Sequence, residues 1–166
     1  MKYPLDKTNY SRDETFMPMI IAILEDNPER RRAMQASAGD RLYTFETRCF
    51  QNPKDILDFL DGHLEETIAI SLDHDMELTI ERDGLLSDPG TGRDVADFLA
   101  TKAPTCPVII HSTNSSAALG MERVLRDADW TTIRVAPWGD LEWIEAEWVK
   151  ALRNAIVANA KERVKQ

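Results

Sequence analysis

A chain of 166 residues, 43% apolar and 30% charged, has ordinary globular composition and the length of one domain. Its 20 basic and 29 acidic residues give a net charge of −9, which argues against an extended nucleic-acid surface while leaving room for a small local site. No apolar run reaches the ~18 residues needed to span a bilayer, the start Met1-Lys2-Tyr3-Pro4 has no signal-peptide core, and Cys49 and Cys106 show no CxxC spacing. These features fit a cytoplasmic protein with reduced thiols and no membrane association.

Residues 1–18 are polar, carry Pro4 and Pro18, and read as an extension before a domain spanning 19–163. The apolar run 19–24 suits a strand buried on both faces of a parallel sheet. Glu25-Asp26-Asn27-Pro28 breaks it, with Pro28 at the first position of a helix capped by Asp26 or Asn27; that helix runs to Ala38 and stops at Gly39. A second strand is expected at 42–45. Asn52-Pro53 opens a second helix, with Ile56, Leu57 and Leu60 at helical spacing, ending near Gly62; His63 reads as a solvated loop residue. Residues 68–72 form a third strand, followed directly by Asp73-His74-Asp75. The acidic stretch 77–90, with Gly84, Pro89 and Gly90, is a loop of more than usual length. A helix starting near Thr91 turns Val95, Phe98 and Leu99 to one face. Residues 107–110 make the fourth strand and lead into His111-Ser112-Thr113-Asn114. A helix at 116–128 and a short strand at 133–135, ending at Ala136-Pro137, come next. The last helix, 140–163, has the apolar stripe Leu141, Ile144, Trp148, Leu152, Ala155 and Ile156. Trp143 falls off that stripe, as a partly covered edge residue or a dimer contact.

Five strands alternating with five helices predict a doubly wound, flavodoxin-like α/β fold with strand order 2-1-3-4-5. Ligands of such sheets bind beyond the carboxyl ends of the strands, near the switch point between strands 1 and 3. Three chemistry-bearing segments end strands there: Glu25-Asp26, Asp73-His74-Asp75, and His111-Ser112-Thr113-Asn114. Clustered carboxylates repel unless a cation joins them or some stay protonated, and oxygen donors suit a hard ion such as Mg²⁺. Ser112, Asn114 and Ser115 precede a helix, where hydroxyls, an amide and free N–H groups favour an anion. A metal beside an anion cradle points to a phosphoryl group. Simpler roles exist for single members: Asp26 and Asn114 are good helix caps, and strand alternation aims His111 and Ser112 in opposite directions.

Residues 19 to about 160 resemble the receiver domain of two-component response regulators. Glu25-Asp26 matches that family's acidic pair, Asp73 its phospho-accepting aspartate, Ser112 its Ser/Thr after strand 4, and Pro137 its proline after strand 5. Ala136 departs from the pattern, since receivers carry there a lysine that contacts the phosphoryl group. Arg134, two residues back, shares that side of the strand. The strings Ser71-Leu72-Asp73-His74-Asp75, Thr91-Gly92-Arg93-Asp94-Val95 and His111-Ser112-Thr113-Asn114 with Met121 are more similar still to a divergent receiver-like family. Its pattern is SLDHDL, TG-x-DV and HS-x-N with a later Met, and it has been proposed to process cyclic phosphates, including RNA ends formed by damage. Met76 replaces the usual Leu, Ser115 stands where a Pro often follows, and the 77–90 insertion is long.

The resemblance implies a metal-dependent phosphodiesterase acting on a cyclic phosphate of a small molecule or RNA end. Glu25, Asp26 and Asp73 would hold Mg²⁺ or Mn²⁺. His74 and His111 would serve as acid and base, with Asp75 orienting His74. Ser112 and Asn114 would bind the non-bridging oxygens, and water or Asp73 would attack. The alternatives are a stand-alone receiver phosphorylated on Asp73, which the missing lysine weakens, and a phosphate-independent interaction module. Receivers also associate through strand 5 and its flanking helices, which implies a homodimer, and Trp138 could stack on a nucleotide base.

Overall fold

The computed structural model describes residues 19–80 and 83–163, so the expected extension 1–18 lies outside the described residues. Strand β1 (Ile20–Leu24) is entirely buried, as its unbroken aliphatic run requires. It is followed by α1 (Pro28–Arg41), β2 (Glu46–Phe50), α2 (Pro53–His63) and β3 (Thr67–Leu72). Two short strands, β4 (Thr79–Ile80) and β5 (Leu86–Ser87), pair antiparallel within the stretch read as a plain loop. Then come α3 (Gly92–Leu99), β6 (Val108–His111), α4 (Ser115–Asp127), β7 (Thr132–Val135) and α5 (Val149–Arg163).

The main sheet is five-stranded and parallel, in the order β2-β1-β3-β6-β7, which is the flavodoxin-like arrangement expected. Helices α2, α3 and α4 cover one face, packing Ile56, Leu60, Val95, Leu99, Met121 and Leu125 on the sheet. Helices α1 and α5 cover the other, with Met34, Ala38, Trp143, Trp148 and Leu152. Both layers are needed because β1 and β3 expose no apolar face to water.

Several element expectations are corrected. The second strand is 46–50, not 42–45. Helix α1 runs through Gly39 to Arg41, and Leu42 is spent closing it, its N–H bonding the Ala38 carbonyl. The real strand, Glu-Thr-Arg-Cys-Phe, sits at the sheet edge with Glu46 and Arg48 exposed, so it lacks the apolar run of a central strand. The final helix begins with a π turn, Ile144–Trp148, closed by a hydrogen bond from the Val149 N–H to the Ile144 carbonyl. Trp143 and Trp148 are five residues apart, about 140° around an α-helix, but i→i+5 bonding carries both to the sheet side. Trp143 is therefore fully buried, neither an edge residue nor a dimer contact. His63 ends α2 half-buried, its ring stacked on Phe59 with 4.5 Å between centroids, and is not a solvated loop residue.

Candidate active site

The carboxyl ends of β1, β3 and β6 lie side by side, and most of the residues after them converge there. The Asp73 N–H bonds the Leu24 carbonyl (3.0 Å), tying the end of β3 to that of β1. Asn27 caps α1 through its side chain, which accepts the Glu29 and Arg30 N–H groups, both at 3.0 Å. Asp26 is thus freed from the capping role. Arg31 donates to the carbonyls of Glu25 (2.9 Å) and Asp26 (2.8 Å), fixing the backbone of the acidic pair.

An open cleft of about 270 Å³ is lined by Asp26, Asn27, Arg30, Asp73, Asp75, Met76, Glu77 and Thr113. Asp26 points into it, with one carboxylate oxygen accepting the Glu77 N–H at 2.6 Å. Asp73 is 6% exposed. Burial pushes its carboxyl up to about 6; the nearby Glu25 adds to the rise, while the His74 N–H and Arg30 oppose it. Arg30 is the one cation among the described residues lining the cleft, its guanidinium 3.9 Å from Asp73 Oδ2. It comes from the first turn of α1, where no motif in the sequence marks it.

His74 and Asp75 are paired, with His74 Nδ1 2.7 Å from Asp75 Oδ1. The Asn114 side-chain amide donates to the same oxygen at 3.4 Å, while its own oxygen caps α4 by accepting the Ala117 N–H. Ser112 turns away from His111, as strand alternation demands, and accepts the Asn114 N–H at 3.1 Å. It lines a neighbouring cavity of about 150 Å³ with Ile110, Arg134, Val135 and Ala136. Arg134 there leans toward Glu122, 3.9 Å away. Trp138 is exposed and donates its indole N–H to Glu147.

Glu25 and His111 are fully buried, behind Asp73. Glu25 Oε1 accepts the Asn27 N–H at 3.0 Å. Glu25 Oε2 lies 3.3 Å from His111 Nε2, out of line for a hydrogen bond, so neither atom has a partner among the described residues. Glu25, Asp73 and His111 can each place one donor atom within 4.8 Å of the others. The buried carboxylates of Glu25 and Asp73, beside Asp26 in the open cleft, are a fitting oxygen set for a hard divalent cation.

The Thr-Gly pair of the TGRDV string has a steric role. The Gly92 N–H bonds the His74 carbonyl at 3.0 Å, and α3 starts directly against the Asp73–His74 backbone. Thr91 and Asp94 form a reciprocal capping box that holds that start in place.

The model of the cyclic-phosphate processing receiver domain matches residues 20–127. The chain belongs to this family. Beyond the family match, no curated protein sequence shows significant similarity. Solved receiver structures share the fold of this receiver domain. The phosphorylated cyanobacterial phytochrome response regulator RcpA is 15% identical, with a TM-score of 0.61 over 81% of this chain and 91% of its own. A two-component transcriptional regulator AraC from Clostridium phytofermentans is 17% identical, at 0.59 over 89% and 99%. A LuxR-family DNA-binding response regulator from Staphylococcus aureus is 22% identical, at 0.58 over 83% and 98%. At these identities the likeness speaks to the fold. Among the described residues of this receiver domain, no helix is long and apolar enough to cross a membrane.

Proposed function

We propose that this receiver domain opens a cyclic phosphate, carried by a small molecule or an RNA end, with the help of a divalent cation. The observation that carries the reading is the cleft itself: carboxylates from the ends of β1 and β3, and an arginine from α1, converge on one open space. Asp26, Asp73 and Glu25 are the residues that would hold Mg²⁺ or Mn²⁺. Bound there, such an ion supplies polarisation of a phosphoryl oxygen and orientation of water.

The chain's own groups account for the rest. Arg30 and Thr113 reach the cleft and present donors to non-bridging oxygens, a role for which a guanidinium is well shaped. Ser112, expected in that role, lines the neighbouring cavity and supports the Asn114 turn. The Asn114 amide, beside Asp75, remains available at the rim. His74, partly exposed and oriented by Asp75, exchanges protons with the attacking water or the departing ring oxygen. His111, expected to share this work, has no exposed surface from which to do so.

Phosphorylation of Asp73 as a signalling switch is the second reading, favoured by the placement of Asp73 at the end of β3. Ala136 in place of the lysine that receivers use, and the His74–Asp75 pair, favour the first. Chromatographic assay of 2′,3′-cyclic AMP with Mg²⁺ tests it. The wild type is expected to yield a monophosphate, and Asp73→Asn and His74→Gln to lose at least 100-fold in rate. Equal turnover by Asp73→Asn would overturn the assignment.

A further inference from the structure

We propose that Trp148 and Ser71 hold His111 as the neutral Nε2–H tautomer, so that it turns a fixed N–H toward the Glu25 carboxylate and is neither a metal ligand nor the base. The use made of Glu25 rests on the cyclic-phosphate reading; the tautomer does not.

Donor and acceptor counting carries the argument. The Trp148 indole N–H donates to Ser71 Oγ at 2.9 Å, and an indole can only donate. Ser71 Oγ is also 2.9 Å from His111 Nδ1, and no other hydrogen bond of this hydroxyl is present among the described residues. All three side chains are fully buried, so no water can complete the set. If Nδ1 carried a hydrogen, Ser71 would accept twice and its own proton would be stranded. If Ser71 donates to Nδ1, each of these three groups is satisfied. The proton of the neutral ring then sits on Nε2.

The far side of the ring agrees. Nε2 lies 3.3 Å from Glu25 Oε2. A nitrogen lone pair there would face a carboxylate oxygen, whereas an Nε2–H is attracted to it. Trp143 flanks the ring with centroids 5.8 Å apart, limiting larger movement. The π turn makes this possible. It places Trp143 beside His111 and Trp148 at Ser71, on one face of one helix, and such turns often mark functional positions. Trp148 and Ser71 are thus positioning residues for His111, and His111 for Glu25. Proton exchange with substrate falls to His74.

Long-range ¹H–¹⁵N correlation spectra of the ¹⁵N-labelled protein at neutral pH report the tautomer directly, with His111→Gln used to assign the ring. The expected result is an unprotonated Nδ1 and a protonated Nε2, unchanged when Mg²⁺ is added. In Ser71→Ala, which removes the donor to Nδ1 and little volume, the Nδ1 resonance is expected to move toward that of an acceptor nitrogen without a hydrogen bond. A protonated Nδ1 in the wild type, loss of the Nε2 proton on adding Mg²⁺, or an unmoved Nδ1 resonance in Ser71→Ala would each overturn the inference. The spectra are recorded without substrate, so failure to open cyclic phosphates would leave this result standing.

Discussion

A Cβ built on Gly92 would lie 1.9 Å from the carbonyl oxygen of Asp73. The first turn of α3 is therefore seated on the backbone of the central aspartate, and only glycine permits the approach. Gly92→Ala forces that backbone to shift. It is expected to cost about 2–4 kcal/mol, a fall of roughly 4–16 °C in Tm, with loss of the site. Thermal unfolding checks this; a Tm within a degree of wild type would contradict the steric reading.

Asp73 makes the site sensitive to pH. Burial holds its carboxyl at about 6 against an ordinary 3.8, so between those values the native state binds the proton more tightly than the unfolded chain. Stability is then lost as pH rises through about 6, by up to about 3 kcal/mol when no cation is present. Asp73→Asn removes the charge and keeps the shape. Urea unfolding in EDTA should find the variant more stable than wild type by about 1–3 kcal/mol at pH 8, with the gap closing by pH 4. A variant equally stable at both pH values would contradict this.

The cost of a buried, ionised Asp73 also predicts metal stabilisation. Millimolar Mg²⁺ should raise the Tm of the wild type by several degrees, because it binds the native state alone. Asp73→Asn should lose most of that shift. Differential scanning calorimetry with and without EDTA is the check, and identical shifts in both proteins would place the ion elsewhere.

Arg30 stands 3.9 Å from Asp73 in the cleft. If it grips the anion, Arg30→Met should weaken binding of inorganic phosphate, measured calorimetrically with Mg²⁺, about tenfold or more. Arg30→Lys keeps the charge but not the planar fork and should fall between. Unchanged affinity in Arg30→Met would remove it from the site.

Much of this architecture is written in local pattern. The unbroken aliphatic runs of β1, β3 and β6 mark strands that must be covered on both faces, and the acidic and histidine-bearing segments follow them directly. Asn27, Asn52, Thr91 and Asn114 all cap helices through their side chains. What was not legible depends on contacts distant in sequence or on departures from ideal period. Strand β2 is polar because it lies at an edge. Trp143 looks misplaced at a period of 3.6 and is buried only because of the π turn. Arg30 and Arg31 read as ordinary helix surface, yet the fold turns one to Asp73 and the other to the Glu25–Asp26 carbonyls. Glu25 and Asp26 look equivalent in sequence, but one is buried against His111 and the other opens on the cleft.

The most direct measurement is a ³¹P NMR time course of EDTA-treated protein with 2′,3′-cyclic AMP, continued after excess Mg²⁺ is added. The account predicts an unchanged cyclic diester signal before the addition. A phosphomonoester signal should then grow, its position showing which ring oxygen leaves. A diester signal that stays constant after Mg²⁺, together with a stable acyl-phosphate signal on Asp73 when acetyl phosphate is supplied instead, would contradict it and identify a phosphorylated receiver.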